Sequence, residues 1–122
     1  MFSWNKLARK YGDLGLLGAS PYYERQAIYG SVGWMDYAGL VWLQLFRDYF
    51  RIGIMFPFNF LFPTMRIPRA AVVNLKYAEY HLFGVKRRCK VYVDGVSICV
   101  TGEAALCLKD WGAGIETWEV KA

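Results

Sequence analysis

The chain has 122 residues, 56% of them hydrophobic and 18% aromatic, with a formal net charge of +5. That length fits one domain, 1–122, around a single core, and the apolar share excludes a disordered chain. The longest uncharged run, Ile52–Met65, is fourteen residues with two prolines, short of the roughly 20 apolar residues a membrane helix needs.

At the start, Ser3 is placed to cap a short helix from Trp4 to Tyr11, ended by Gly12. Trp4, Leu7, Ala8 and Tyr11 fall on one apolar stripe, with Lys6, Arg9 and Lys10 off it. The stripe predicts a helix docked on the rest of the fold; a basic helix lying on a membrane surface is the alternative. No signal peptide is expected. Asp13 follows the basic residues at once, and Leu14–Ala19 is shorter than the ~7–15 residues of a signal core. The expected compartment is therefore the cytoplasm. An odd number of cysteines, Cys89, Cys99 and Cys107, agrees with a reducing environment.

Residues 12–25 read as a loop rich in glycine. Gln26–Met35 reads as a first strand, in which Gly30 and Gly33 mark a bulge or a close backbone approach. Gly39–Phe46 and Tyr49–Phe56 form a strand pair around Arg47-Asp48. Its two faces, Val41, Leu43 and Leu45 against Leu40, Trp42 and Phe46, are both apolar, so cover on both sides is expected.

The stretch Ile52–Pro68 carries Phe56, Phe58, Phe60 and Phe62 at every second position, interrupted by Pro57 and Pro63. A period of two puts four rings on one side of an extended chain, and the prolines exclude helix and central strand. This predicts an aromatic seam crossing between two halves of a barrel. Exposed, the same loop would instead be a contact surface, built from Phe58, Phe60, Leu61 and Phe62.

Ala71–Phe83 reads as a further strand and Gly84–Arg88 as a basic turn. Cys89–Val93 and Val96–Val100 form a hairpin closed by Asp94-Gly95. Closing it with two residues opposes Cys89 to Val100 and Lys90 to Cys99. The two cysteines then lie on opposite faces and cannot bridge. Cys89, Val91, Val93, Val96, Ile98 and Val100 are the expected buried set. A helix over about 102–111 follows, with Glu103 in its first turn and an apolar stripe of Ala104, Leu108 and Trp111. Ile115–Ala122 adds a short edge strand.

The fold class predicted is mainly β, with minor α: an antiparallel barrel of about seven strands, a C-terminal capping helix and a short N-terminal helix. At the residue level, Leu40–Phe46 with Phe50–Phe58, Met65–Pro68 and Cys89–Val100 resemble small uncharacterised bacterial proteins with a pleckstrin-homology or GRAM-like fold. Phe56-Pro57-Phe58 and Ile67-Pro68 match their "FPF, apolar loop, IP" pattern, and the Trp4, Leu7, Tyr11 helix fits their N-terminal pattern. Many of those sequences carry tryptophan where this chain has Arg69. The resemblance covers residues 1–111 and implies a pleckstrin-homology-like barrel but no agreed activity.

Chemistry is sparse. His81 shares a strand face with Glu79, but no nucleophile accompanies the pair. His81, Cys89, Cys99 and Cys107 lack the close spacing of zinc ligands, and Gly12, Gly15 and Gly18 lack the strand–helix context of a phosphate loop. No catalytic residue, metal or cofactor is predicted, and the chain reads as a non-enzyme. Charge is uneven: residues 66–90 hold seven cations against Glu79 alone. Lys86, Arg87, Arg88 and Lys90 are the candidate contacts for an anion or lipid. The predicted function is a non-enzymatic interaction module that binds a protein partner, of adaptor or immunity type, or a second copy of itself. Peripheral binding to an anionic membrane through the basic turn is the alternative, without integral membrane association. Single-stranded nucleic acid ranks third.

Overall fold

A computed structural model describes residues 2–12, 20–33, 35–81 and 83–121, excepting the side chains of residues 2, 3, 59, 60, 120 and 121. The chain is mainly β, as expected, with two α-helices, α1 (Phe2–Tyr11) and α2 (Glu103–Trp111). The strands are β1 (Tyr23–Ile28), β2 (Gly30–Val32), β3 (Met35–Asp36), β4 (Val41–Leu45), β5 (Tyr49–Ile54), β6 (Met65–Pro68), β7 (Asn74–Tyr80), β8 (Lys86–Val93), β9 (Val96–Thr101) and β10 (Thr117–Lys121). They form two open sheets, ordered β1-β4-β5-β6 and β10-β7-β8-β9-β2-β3, and the barrel is not closed. Only β10, on the edge beside β7, is parallel to its neighbour.

The expected first strand, Gln26–Met35, is in fact divided between β1 in one sheet and β2 with the start of β3 in the other. Register slips between Arg25 and Ile28, and Ala27 holds a φ of 57°, the mark of a bulge that bends a strand. Gly30 then runs so close to β9 that a Cβ there would lie 2.8 Å from the carbonyl oxygen of Cys99. The predicted close approach is therefore real, and the chain changes sheets at Tyr29.

Alternation fills the space between the sheets. Leu43, Leu45, Phe50, Ile52 and Ile67 come from one side; Leu75, Tyr77, Cys89, Val91 and Ile98 come from the other. Helix α2 touches both sheets and buries Ala104, Ala105, Leu108 and Trp111. The Trp111 ring meets Phe50 edge-on at 5.1 Å, and its indole N–H donates to the carbonyl of Phe46 at 2.7 Å. Arg69 follows Pro68, and its guanidinium donates to the carbonyls of Trp111 and Ala113 at the C-terminal end of α2. The same group lies 5.7 Å from the Trp111 ring. A cation thus takes the orphan carbonyls of a helix end.

Helix α1 docks as expected. Trp4 and Leu7 are buried against β6, and the Trp4 indole N–H donates to the carbonyl of Pro63 at 2.8 Å. The helix begins at Phe2, so Ser3 lies inside it and not before it. Its apolar stripe is already occupied, which removes the reading of α1 as a membrane-surface helix.

The seam is corrected. β5 and β6 are antiparallel neighbours in one sheet, so residues 55–64 close a wide hairpin and cross nothing. Phe58–Leu61 is a turn of 3-10 helix, where rings two apart diverge. Among the described residues no helix or strand gives β4 and β5 the second cover expected for them. On their outer face Trp42 lies over Gly53, the Arg51 guanidinium stands 5.5 Å from the Trp42 ring, and Arg51 donates to Gln44 at 2.8 Å. A polar lacing replaces a covering element there. Among the described residues no helix is long and apolar enough to cross a membrane.

Candidate functional site

The sequence of β8, Lys-Arg-Arg-Cys-Lys-Val-Tyr-Val, is read by alternation. Cys89, Val91 and Val93 point into the core, which sends Lys86, Arg88, Lys90 and Tyr92 to the outer face. The register adds neighbours. Lys76 of β7 sits opposite Lys90, Ala78 opposite Arg88 and Tyr80 opposite Lys86. On the other side Thr101 faces Arg88 and Cys99 faces Lys90, while Trp118 of β10 lies beside Lys76. Four cations thus share one sheet face, and none forms an ion pair with a described residue. Like charges directly opposite, as Lys76 and Lys90 are, cost a sheet roughly 0.2–1 kcal/mol. The fold gains nothing from that pair.

This arrangement corrects the predicted basic turn. The turn is confined to the residues before Lys86, where Phe83 and Gly84 take φ values of 54° and 108°, and the cations stand on a strand. Arg87 leaves the outer-face row of cations. It falls in phase with Cys89, points to the core side, and its Nε donates to Glu79 Oε1 at 3.2 Å. The expected buried set already contained this answer, because the period that buries Cys89 also turns Arg87 inward. Lys76 was missed because it belongs to another strand, and only register brings it to Lys90.

Glu79 is occupied on the core side. The Tyr77 hydroxyl donates to it at 2.9 Å, His81 Nε2 lies 3.1 Å away, and Lys109 Nζ stands 4.8 Å from the Tyr77 ring. Burial, then the Glu79 contact, pushes the Tyr77 hydroxyl up to about 12. The Tyr77 hydroxyl is the main influence holding Glu79 below its ordinary value, with His81 and Arg87 adding to it. The Glu–His pair predicted from alternation therefore forms, though His81 lies just past the end of β7. Among the described residues no cluster of three or more His, Cys, Asp or Glu could hold a metal. Gly15 and Gly18 lie outside the described residues.

Two hollows border the basic face. One, about 560 Å³, is lined by residues that include Tyr29, Tyr80, Val85, Lys86, Arg87 and Arg88. The other, about 300 Å³, runs over Ser31, Asp36, Arg88, Lys90 and Cys99. Phe83, in the connection between β7 and β8, is 97% exposed.

The second predicted surface divides. Phe58 and Leu61 are 46% and 52% exposed, and Phe56 joins them at 85%. Phe62 turns inward, edge-on to Trp4 at 5.7 Å and to Tyr37 at 5.0 Å. The Phe60 side chain lies outside the described residues. No family profile, curated protein or solved structure matches this chain.

Proposed function

We propose that this chain is a non-enzymatic interaction module that attaches peripherally to anionic lipid surfaces through the outer face of its six-stranded sheet. One observation carries the reading: Lys76, Lys86, Arg88 and Lys90 share a face without a carboxylate partner among the described residues, on two strands whose connecting tip carries the almost fully exposed Phe83. Cations at a membrane surface contribute about 1 kcal/mol each, and an apolar ring at the tip adds the burial that charge alone lacks. The pleckstrin-homology or GRAM-like architecture belongs to the same proposal. It is supported by two packed sheets with a C-terminal helix touching both, and by the resembling Phe56-Pro57-Phe58 and Ile67-Pro68 segments.

Co-sedimentation with vesicles containing phosphatidylserine tests it. Binding should fall steeply with salt. Lys86→Ala with Arg88→Ala should weaken it about 30-fold, the equivalent of ~2 kcal/mol, and Phe83→Asp should weaken it further. Binding that ignores both changes, or tighter binding to a short single-stranded oligonucleotide, overturns the reading. The exposed Phe56, Phe58 and Leu61 favour a second reading, a protein partner of adaptor or immunity type or a second copy. Light scattering on the purified protein, with Phe58→Ser plus Leu61→Ser as comparison, decides whether that loop drives self-association.

A further inference from the structure

The two hollows beside β8 are neighbours. Both are lined by Tyr29, Arg88 and Thr101, so they adjoin at those residues, the waist between two lobes. Their chemistry differs across the waist. The larger lobe presents the rings of Tyr29 and Tyr80, the Val85 side chain and the methylene stems of basic residues. The smaller presents Arg88, Lys90 and the Ser31 hydroxyl, with the single carboxylate of Asp36 at its far side. Two cations against one carboxylate leave that lobe net positive. Volumes of about 560 and 300 Å³ fall in the ~300–1,000 Å³ range of sites for small ligands.

We infer that these two lobes together bind a single amphipathic anion, with its apolar body between Tyr29, Tyr80 and Val85 and its phosphate or carboxylate head on Arg88 and Lys90. The inference rests on the anionic-surface reading and sharpens it, from a charged face to a site that takes one molecule. Arg88 is the pivot because it lines both lobes. An arginine is suited to that place, since its methylene stem can cover apolar surface while its guanidinium offers a planar fork to phosphate or carboxylate.

The test is calorimetric titration of the full chain with dodecyl phosphate below its micelle-forming concentration, beside inorganic phosphate and the neutral dodecyl maltoside. One-to-one saturable binding of dodecyl phosphate, at least tenfold tighter than either comparison compound, is expected. Arg88→Ala should weaken it at least tenfold. So should Val85→Asp, an exposed position where folding is readily checked by circular dichroism. Inorganic phosphate binding equally well would overturn the inference by making the apolar lobe idle. Dodecyl maltoside binding equally well would overturn it by making the cations idle. Vesicle binding without any saturable binding of dodecyl phosphate would overturn it too, while leaving the surface-attachment reading standing.

Discussion

Glu79 shows what a single carboxylate does in this structure. Three donors, from Tyr77, His81 and Arg87, converge on it, and the Tyr77 hydroxyl chiefly holds its carboxyl below the ordinary value. Asp94 is held down in the same way, first by Lys10 and then by the Tyr11 hydroxyl. A carboxylate depressed in the native state lends stability above its unfolded pKa and loses it as the pH falls through the native value. Urea unfolding between about pH 7 and about pH 3 should therefore show stability falling once the pH drops below the ordinary carboxylate range, about 4. Glu79→Gln should flatten part of that fall. An unchanged pH profile in the variant would show that the three contacts are energetically idle.

At the scale of elements, legibility followed the presence of a local rule. The hairpin of β8 and β9 was readable because Asp94 and Gly95 both take positive φ, 50° and 77°, as a two-residue turn of this kind requires. Its register opposes Cys89 to Val100 and Lys90 to Cys99, as the spacing predicted, and the whole expected buried set is buried. Helix α2 and edge strand β10 were readable on similar grounds. The phenylalanine stretch was not, because a period of two has meaning only where a neighbouring strand enforces the pleat. Between β5 and β6 no strand does, and the chain coils into a 3-10 turn. Lys76 and Lys90 were unreadable as a pair for the opposite reason, since cross-strand proximity is set by register. Arg69 carries a further consequence. It follows Pro68 at the end of β6 and holds the carbonyl end of α2. Arg69→Ala should cost about 1–3 kcal/mol in chemical denaturation. Arg69→Lys should recover only part of that, because an ammonium lacks the two-pronged geometry.

For the whole molecule, one contiguous core joins both sheets and both helices. Trp4 lies against β6 at one border of that core, and Trp111 is wedged between α2 and β5 at another. A domain of this size with a single core should unfold in one step. Tryptophan fluorescence and far-ultraviolet circular dichroism should then give superimposable thermal transitions. A fluorescence change well ahead of the loss of β signal would mean that α1 or the four-stranded sheet melts by itself. The same rigidity bears on attachment. The cations and Phe83 are presented by strands and by a short hairpin tip, so the face arrives with its spacing already set and little ordering left to lose on contact.

The parallel pairing of β10 with β7 also sets a timetable for synthesis. β7 finds β8 soon after both are made, only a few residues apart, but its other edge waits for a strand that begins at Thr117. Until then a nascent chain offers an unpaired edge flanked by Lys76. An open edge invites pairing with another chain, and lysine is among the residues that discourage it. On the proposed reading the charge of the mature face thus has a second use, in the growing chain, during the interval before β10 covers that edge.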